Sequence, residues 1–158
     1  MAVPSGNVQQ CDSADGSRAQ VTYLCAHTCV TCSHFVGTYT DDDLSFYRTV
    51  PPPAAQELRI ESEPPAVGDA VQLVWQDMGF QCVKDGRVSR VNPADGSFAV
   101  FVGWFVPEDV RGISGALCWD GAARGVVTGV QRDTKTTHVW VQTIAPNFQV
   151  RSTGFLSL

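Results

Sequence analysis

The segment with the strongest chemical signal is a serine held between glycines, in the run Gly112-Ile113-Ser114-Gly115. Glycine on both sides lets the backbone turn tightly, which exposes the serine hydroxyl and aims backbone N–H groups at one point. A turn of this kind can supply both a nucleophile and the donors that stabilise an oxyanion. Because short Ser-Gly motifs also occur in ordinary turns, the motif gains meaning only beside a base.

A serine hydroxyl needs a base to take its proton, and the chain has three histidines. His27 follows the β-branched and aromatic run 21–26, which predicts that it lies at the end of a buried strand. Asp43 stands where a polar turn meets an apolar segment, and a carboxylate there can hold an imidazole in one tautomer. The candidates for catalysis are therefore His27, Asp43 and Ser114, with a structural role as the alternative for His27.

A group of cysteines and histidines near His27 supports a competing hypothesis of zinc binding. The four candidate ligands are Cys25, Cys29, Cys32 and His34. The spacing Cys29-x-x-Cys32 is one that tetrahedral zinc sites use, and a site without His27 leaves that residue available for catalysis. Three alternatives stay open at this level: bound zinc, a disulfide from Cys29 to Cys11 or Cys25, and thiols packed as small hydrophobic groups.

Short apolar segments between frequent turn residues predict an all-β fold. Ten strands are expected, at residues 7–11, 19–25, 44–50, 58–61, 70–76, 81–91, 97–102, 116–119, 125–131 and 138–144. Hairpin turns are expected at the pairs 15–16, 85–86, 95–96 and 120–121, each an Asp-Gly dipeptide. A short helical turn is the only helix expected, within residues 28–34.

The proline-rich segment near the middle of the chain predicts a division into two units. Prolines occupy positions 51–53 and 64–65, and proline cannot donate to a sheet ladder. We therefore expect one unit over residues 1–63, carrying His27 and Asp43, and a larger unit over residues 64–158, carrying Ser114.

Composition and charge limit the class of protein further. The 158 residues are 44% hydrophobic and 17% charged, with a formal net charge of −5. This balance excludes a disordered chain and argues against a nucleic-acid partner, because no basic stripe is present. The longest apolar stretch, residues 98–106, is too short for a spanning helix, and no secretory signal is recognisable. Six cysteines are too few for a dense disulfide scaffold, which favours a reducing compartment.

Taken together, these motifs resemble those of chymotrypsin-like serine proteases. The run Val-Thr-Tyr-Leu-Cys-Ala-His27, the triplet Asp43-Leu44-Ser45 and the run Gly112-Ile113-Ser114-Gly115 are similar to the family's three motifs and follow its order. The resemblance implies two antiparallel six-stranded-type β-barrels, the first one small. It also implies that Ser114 is the nucleophile, His27 the general base and Asp43 the orienting carboxylate, with the N–H groups of Gly112 and Ser114 forming the oxyanion hole.

Two departures from the digestive enzymes of that family shape the functional expectation. Ile113 replaces an aspartate used in zymogen activation, and the chain is much shorter. The compact form is similar to proteases of viral polyproteins. This resemblance implies that the substrate is a polypeptide, that no cofactor is needed and that the protein acts in the host cytoplasm. The chain's own polyprotein is the expected substrate. The alternative is a zinc-binding or catalytically silent interaction module with the same fold.

The substrate pocket leads to two opposed expectations. Glu108 and Asp109 lie where the family's primary pocket is lined, and acidic groups there would favour a basic substrate residue. Residues Thr128, Gly129, Val130 and Gln131 are expected on a strand that pairs with the substrate, and Gln131 could instead read a polar side chain. The C-terminal segment 151–158 is a further candidate to occupy the cleft as a product.

Overall fold

Nearly all regular structure in this protein is β-strand, as the sequence predicts. The computed structural model describes residues 3–12, 16–35, 43–50, 54–103, 112–132, 136–148 and 150–151. Within them a 3-10 turn at Ser5–Asn7 precedes the strands β1 (Val8–Asp12), β2 (Arg18–Cys25), β3 (Thr28–Cys32), β4 (Leu44–Arg48), β5 (Ala70–Asp77), β6 (Phe80–Val91), β7 (Phe98–Phe101), β8 (Leu117–Trp119), β9 (Ala123–Arg132), β10 (Thr137–Gln142) and β11 (Val150–Arg151). The described residues form no helix of the length and hydropathy that crossing a membrane would require.

Six strands of the second half close into an antiparallel barrel. The strand order around it is β10-β7-β6-β5-β8-β9. Alternate residues of these strands point inward, so that Val88, Val100 and Val139 lie side by side in three neighbouring strands and are fully buried. Gly86 also needs its lack of a side chain, because a Cβ there would lie 2.5 Å from Val100 Cγ1. The barrel interior is thus a packed hydrophobic core.

The first half forms a five-stranded sheet in the order β1-β2-β3-β4-β11. Where we expected a small six-stranded-type barrel, the described residues form this five-stranded sheet. The segment 58–61, predicted as a strand, makes only one isolated bridge, from Ile60 to Ala123. The edge beside β4 is instead taken by β11, which pairs with it in parallel. The predicted boundary at residues 63 and 64 falls between β4 and β5, and β11 crosses back over it.

The segment 28–34 begins with a strand, β3, and not with the helical turn that we predicted. Antiparallel pairing on both sides, to β2 and to β4, extends Thr28–Cys32 and satisfies its backbone groups. Ala26 and His27 form the two-residue turn that connects β2 to β3. This strand carries the chain from His27, at one end of the sheet, to His34, beyond the other.

The turns agree with the sequence in part. Gly96 and Gly121 have positive φ angles, 74° and 100°, in the turns before β7 and β9. The Asp85-Gly86 pair, however, lies inside β6. The β5–β6 turn is made by Met78 and Gly79, both with positive φ, at 50° and 86°. This pair of φ values is the requirement of a type I′ hairpin turn, which matches the twist of the flanking strands.

One face of the five-stranded sheet packs against the barrel. Leu24, Val30 and Phe46 of the sheet share a buried cluster with Val126 of β9 and with Ile144. Because buried aliphatic and aromatic side chains contribute roughly 1.5 to 3 kcal/mol each, this contact holds the two halves in one arrangement. The end of β3 thereby meets the middle of β9 at Val127, and the candidate site lies there.

Candidate active site

The turn that carries Ser114 is held against the first sheet by hydrogen bonds. The backbone N–H of Gln20 donates to the carbonyl oxygen of Ser114 at 2.7 Å, and the Gln20 side-chain amide donates to Gly112 O at 3.0 Å. Thr22 Oγ1 donates to Gly115 O at 2.8 Å. Ile113, between the glycines, is buried. The serine is therefore fixed by β2, although it belongs to the barrel.

Gly112 and Gly115 are required by the backbone conformation of this turn. Their φ angles are 80° and 92°, in the region that favours glycine. A Cβ on Gly115 would lie 1.9 Å from Gln20 O, so that no other residue fits without moving the backbone. Among the described residues, none accepts a hydrogen bond from the N–H of Gly112 or Ser114. These two donors have the freedom that an oxyanion hole needs.

Asp43 and His34 form a hydrogen-bonded pair at the end of β3. Asp43 Oδ2 lies 2.5 Å from His34 Nδ1, and Asp43 Oδ1 accepts from the His34 backbone N–H at 2.9 Å. The Ser33 N–H donates to Asp43 O at 2.8 Å. Asp43 has a φ angle of 59°, a conformation that aspartate tolerates better than most residues. The carboxylate therefore holds the imidazole through Nδ1, and no described residue forms a hydrogen bond with Nε2.

The structure does not bring His27 to Asp43, contrary to our expectation. Thr28 pairs with Arg48 and Cys32 pairs with Leu44, so β3 runs the full length of β4. Four residue steps of about 3.3 Å put roughly 13 Å between the two ends of β3. His27 lies beyond one end, exposed, with its carbonyl accepting from Thr49 N. Asp43 lies beyond the other end, beside His34.

One carbonyl joins the segment of His34 to the turn of Ser114. Val127 O accepts a hydrogen bond from Gly115 N at 2.7 Å and from Cys32 Sγ at 3.0 Å. Cys32 is two residues before His34, and Gly115 directly follows Ser114. The Val127 carbonyl therefore links the end of β3, which precedes His34 and Asp43, to the turn of Ser114.

His34 could have been identified from the sequence by a hairpin signal. The run Thr28–Cys32 has β-branched residues at three of five positions and follows the two-residue turn Ala26-His27, which is typical of the second strand of a hairpin. A histidine two residues after that strand and an aspartate directly before the next must lie at the same end of an antiparallel sheet. Because we predicted a helical turn within residues 28–34, we did not consider the pairing of this segment with the next strand.

The expected substrate strand has a free edge. On β9, Gly129, Val130 and Gln131 pair with β10 on one side. On the other side, β8 pairs with β9 only as far as Val126, and no described strand continues that edge. Thr128 lies at a bulge in β9, and its Oγ1 bonds to Trp140 O at 3.4 Å.

The other predicted pocket residues, Glu108 and Asp109, lie outside the described residues. Residues 152–158 of the C-terminal segment also lie outside them.

The four predicted zinc ligands do not form one site. On β3, Cys29 and Cys32 are three residues apart, so their side chains leave opposite faces of the strand. Cys29 packs with Cys11 and Tyr23 in a hydrophobic cluster, and Cys25 lies at the end of β2 beside the turn. All six cysteines are free, so the disulfides of Cys29 that we left open are not formed.

A different set of donors does converge. One ligand atom each of Cys32, His34 and Asp43 lies within 4.8 Å of the others. These are thiol, imidazole and carboxylate groups, all of which zinc accepts. Burial and the negative charge of Asp43 raise the pKa of the Cys32 thiol, which keeps it protonated in the absence of a metal. Only Cys32 and His34 of this set belong to the ligands predicted from the sequence.

Thiol reactivity tests the burial of the six cysteines. Burial raises the pKa of Cys11 to about 11 and that of Cys29 to about 12. At pH 8 roughly one part in ten thousand of the Cys29 thiol is then ionised, and the thiolate is the reactive form. We expect iodoacetamide to modify the half-buried Cys25 and Cys82 of the folded protein, and all six cysteines only in denaturant. Intact mass and peptide mapping measure this, and rapid native modification of Cys29 would contradict it.

Comparison with solved structures shows a fold similar to that of several proteases. The active form of the Rv3671c protease of M. tuberculosis matches with a TM-score of 0.67 and 17% identity, over 89% of this chain and 77% of that one. A human pathogenic astrovirus serine protease matches with a TM-score of 0.65 and 17% identity, over 92% and 93%. The tobacco etch virus protease complexed with product matches with 0.63 and 12%, over 92% and 76%. Neither a family model nor a curated protein sequence matches this chain.

The structural match covers both halves of the molecule. The astrovirus protease is covered over 93% of its length, so the likeness includes both the first sheet and the barrel. A closed six-stranded antiparallel barrel joined to a second β-sheet is the observed architecture. From these observations we conclude that the chain has the fold of the chymotrypsin-like serine proteases.

Proposed function

We propose that this protein is a serine endopeptidase with Ser114 as nucleophile, His34 as general base and Asp43 as the residue that orients His34. The observation that carries the proposal is the contact of both Asp43 oxygens with His34, at an edge that Val127 joins to the turn of Ser114. One Asp43 oxygen bonds to the His34 ring and the other to the His34 backbone N–H, so the carboxylate is fixed relative to the imidazole although the pair is exposed. A base that must present Nε2 in a fixed direction needs such a partner.

The proposed reaction begins with attack by Ser114. As Oγ forms a bond to the carbonyl carbon of the substrate, His34 Nε2 takes the hydroxyl proton. The negative charge that develops on the carbonyl oxygen is stabilised by the N–H groups of Gly112 and Ser114. Asp43 stabilises the imidazolium that forms. The C–N bond then breaks, and His34 returns the proton to the leaving amine, which produces an acyl-enzyme.

Hydrolysis of the acyl-enzyme follows the same path with water as the nucleophile. His34 takes a proton from water as its oxygen attacks the ester carbon. The bond between that carbon and Ser114 Oγ then breaks, and Ser114 regains its proton from His34. The products are a free carboxylate and the unchanged enzyme, and this chemistry uses no metal or cofactor.

The free edge of β9 supports a polypeptide as the substrate. An extended peptide can add to a sheet edge by main-chain hydrogen bonds, with its side chains directed to alternate faces. The edge from Thr128 onward continues from the residue that bonds the Ser114 turn, Val127. A peptide paired there has its reacting carbonyl next to Ser114.

We further propose that the natural substrate is a viral polyprotein that contains this chain, cleaved in the cytoplasm of a host cell. Two features support this proposal: the near-complete coverage of a viral protease of similar size, and six free thiols, which are typical of a reducing compartment.

The test of the peptidase is labelling with a fluorophosphonate, which reacts only with activated serines. We expect a single adduct that maps to Ser114 and is absent from Ser114→Ala. The matched control is Ser97→Ala, since Ser97 bonds to Asp95 in the β6–β7 turn, on another part of the barrel. An adduct of unchanged yield in Ser114→Ala, or no adduct on folded protein, would contradict the proposed activity.

A second candidate function, zinc binding, is favoured by the convergence of Cys32, His34 and Asp43. Such a site would occupy a His34 nitrogen that the proposed catalysis needs, either Nδ1, which bonds to Asp43, or Nε2, the base, so a bound metal and the proposed catalysis exclude each other. Metal analysis of the purified protein separates the two. Stoichiometric zinc that is lost in Cys32→Ala, together with no labelling of Ser114, would establish a protease-like binding module.

A further inference from the structure

The outer face of the barrel has a small cavity at its β6, β7, β9 and β10 strands. Its volume is about 270 Å³, below the roughly 300 to 1,000 Å³ of most ligand pockets, and it suits a single side chain. The lining residues are Ser89, Arg90, Ala99, Gln131, His138 and Trp140. They face outward because their neighbours Val88, Val100 and Val139 point into the core.

The cavity lies along one row of paired residues that begins on the proposed substrate strand. Gly129 pairs with Trp140, Trp140 with Ala99, and Ala99 with Arg90. Residues paired in this way share one face of the sheet, so all four positions face outward. Three strand spacings of about 4.8 Å put Arg90 roughly 14 Å from Gly129 at the backbone.

The position of Gly129 opens a path from the substrate strand into the cavity. A Cβ built on Gly129 would meet no described residue within 4 Å, so the described part of the chain leaves the space above this residue open. Gly129 lies two residues beyond Val127, the residue that bonds to the Ser114 turn. A side chain that enters beside Ser114 can therefore cross Gly129 and continue over Trp140.

The polar groups of the cavity are suited to a negatively charged side chain. The Arg90 guanidinium lies over the Trp140 ring, 5.9 Å from its centroid, and no described carboxylate forms an ion pair with it. Gln131 Oε1 is 3.4 Å from Trp140 Nε1, from which it accepts a hydrogen bond, so the Gln131 amide nitrogen is left to donate. No acidic residue is among the described residues that line the cavity.

We propose that this cavity binds an acidic side chain, glutamate better than aspartate, of the substrate residue that precedes the cleaved bond, and that Arg90 determines this specificity. The inference rests on the proposed function. It extends the expectation that Gln131 reads a polar side chain, and it is opposed to the expectation that Glu108 and Asp109 favour a basic one. The guanidinium supplies a charge and paired donors that fit a carboxylate, and Trp140 holds it in place.

The experiment measures kcat/KM for a fluorogenic peptide library in which only the residue before the cleaved bond is fixed. We expect glutamate to be cleaved at least about tenfold better than glutamine, and lysine to be cleaved least. In Arg90→Gln the glutamate-to-glutamine ratio should fall to about one, while labelling of Ser114 by the small fluorophosphonate stays unchanged. Arg90→Glu should shift the preference toward lysine. The matched control is Arg87→Gln, on the same strand, whose Nη1 donates to Gly68 O.

Each other outcome overturns the inference. A preference for glutamine over glutamate would show neutral recognition, and a preference for basic or apolar residues would show that another pocket sets the specificity. An unchanged glutamate-to-glutamine ratio in Arg90→Gln would show that Arg90 does not bind the substrate side chain. These results leave the peptidase intact, whereas absence of both cleavage and Ser114 labelling in the wild type overturns the proposed function as well.

Discussion

Replacement of His34 with alanine is expected to lower the rate of Ser114 labelling and of peptide cleavage by roughly 10⁴-fold, because Ser114 loses the base that takes its proton. Replacement of His27 with alanine is expected to leave both rates within about twofold of the wild type. His27 lies in the β2–β3 turn, at the far end of β3 from Asp43. The measurement is the second-order rate constant of fluorophosphonate labelling for each variant.

The pair of variants is matched, since each one removes one exposed histidine side chain from one end of the same strand. The His34 side chain is 42% exposed, so its removal should not unfold the protein, and thermal unfolding checks this. Equal losses of activity in the two variants would contradict the assignment of His34. A large loss in His27→Ala alone would restore the histidine that the sequence favoured.

Ser114 and Asp43 could be predicted from the sequence, because the residues next to them in the chain determine the local backbone conformation. Ser114 is flanked by glycines whose positive φ angles only glycine adopts easily, so the turn is encoded locally. Asp43 directly precedes the strand Leu44–Arg48, which contains two aromatic residues, and its position follows from that strand's start. The barrel strands β5 to β10 alternate apolar and polar residues or contain turn residues at their ends, and their bounds agree with the prediction within about two residues.

The choice between His27 and His34 depended on a register that no local pattern specifies. Both histidines flank the same five residues, and only the pairing of β3 with β4 shows which one meets Asp43. Because β3 was predicted as a helical turn, the sequence favoured His27, a turn residue, in place of His34, the base that we propose. The strand β11 could not be predicted from the sequence either. Its two residues form a strand because they pair with Phe46 and Tyr47, about a hundred residues earlier in the chain.

Replacement of Gly115 with alanine is expected to damage the site even though no reacting atom is removed. The new Cβ would lie 1.9 Å from Gln20 O, and a φ angle of 92° is itself strained for alanine. The turn must move away from β2, which breaks the hydrogen bonds of Gly115 to Val127 and Thr22. We expect a loss of roughly 3 kcal/mol or more in the free energy of unfolding. Because Ser114 moves with the turn by about 1 Å, labelling should slow by roughly 100-fold.

Gly121→Ala is the control that separates the two causes. Gly121 has a similar φ angle, 100°, but a Cβ there would meet nothing within 4 Å. It therefore carries the conformational strain without the collision, and we expect a loss of about 1 kcal/mol with normal labelling of Ser114. Denaturant unfolding measures both variants. If they lose the same free energy, the contact between Gly115 and Gln20 does not hold the turn, and the first sheet has no part in placing the nucleophile. If only Gly115→Ala loses labelling, the sheet that carries the base also positions the serine, so the two halves must be assembled before either can act.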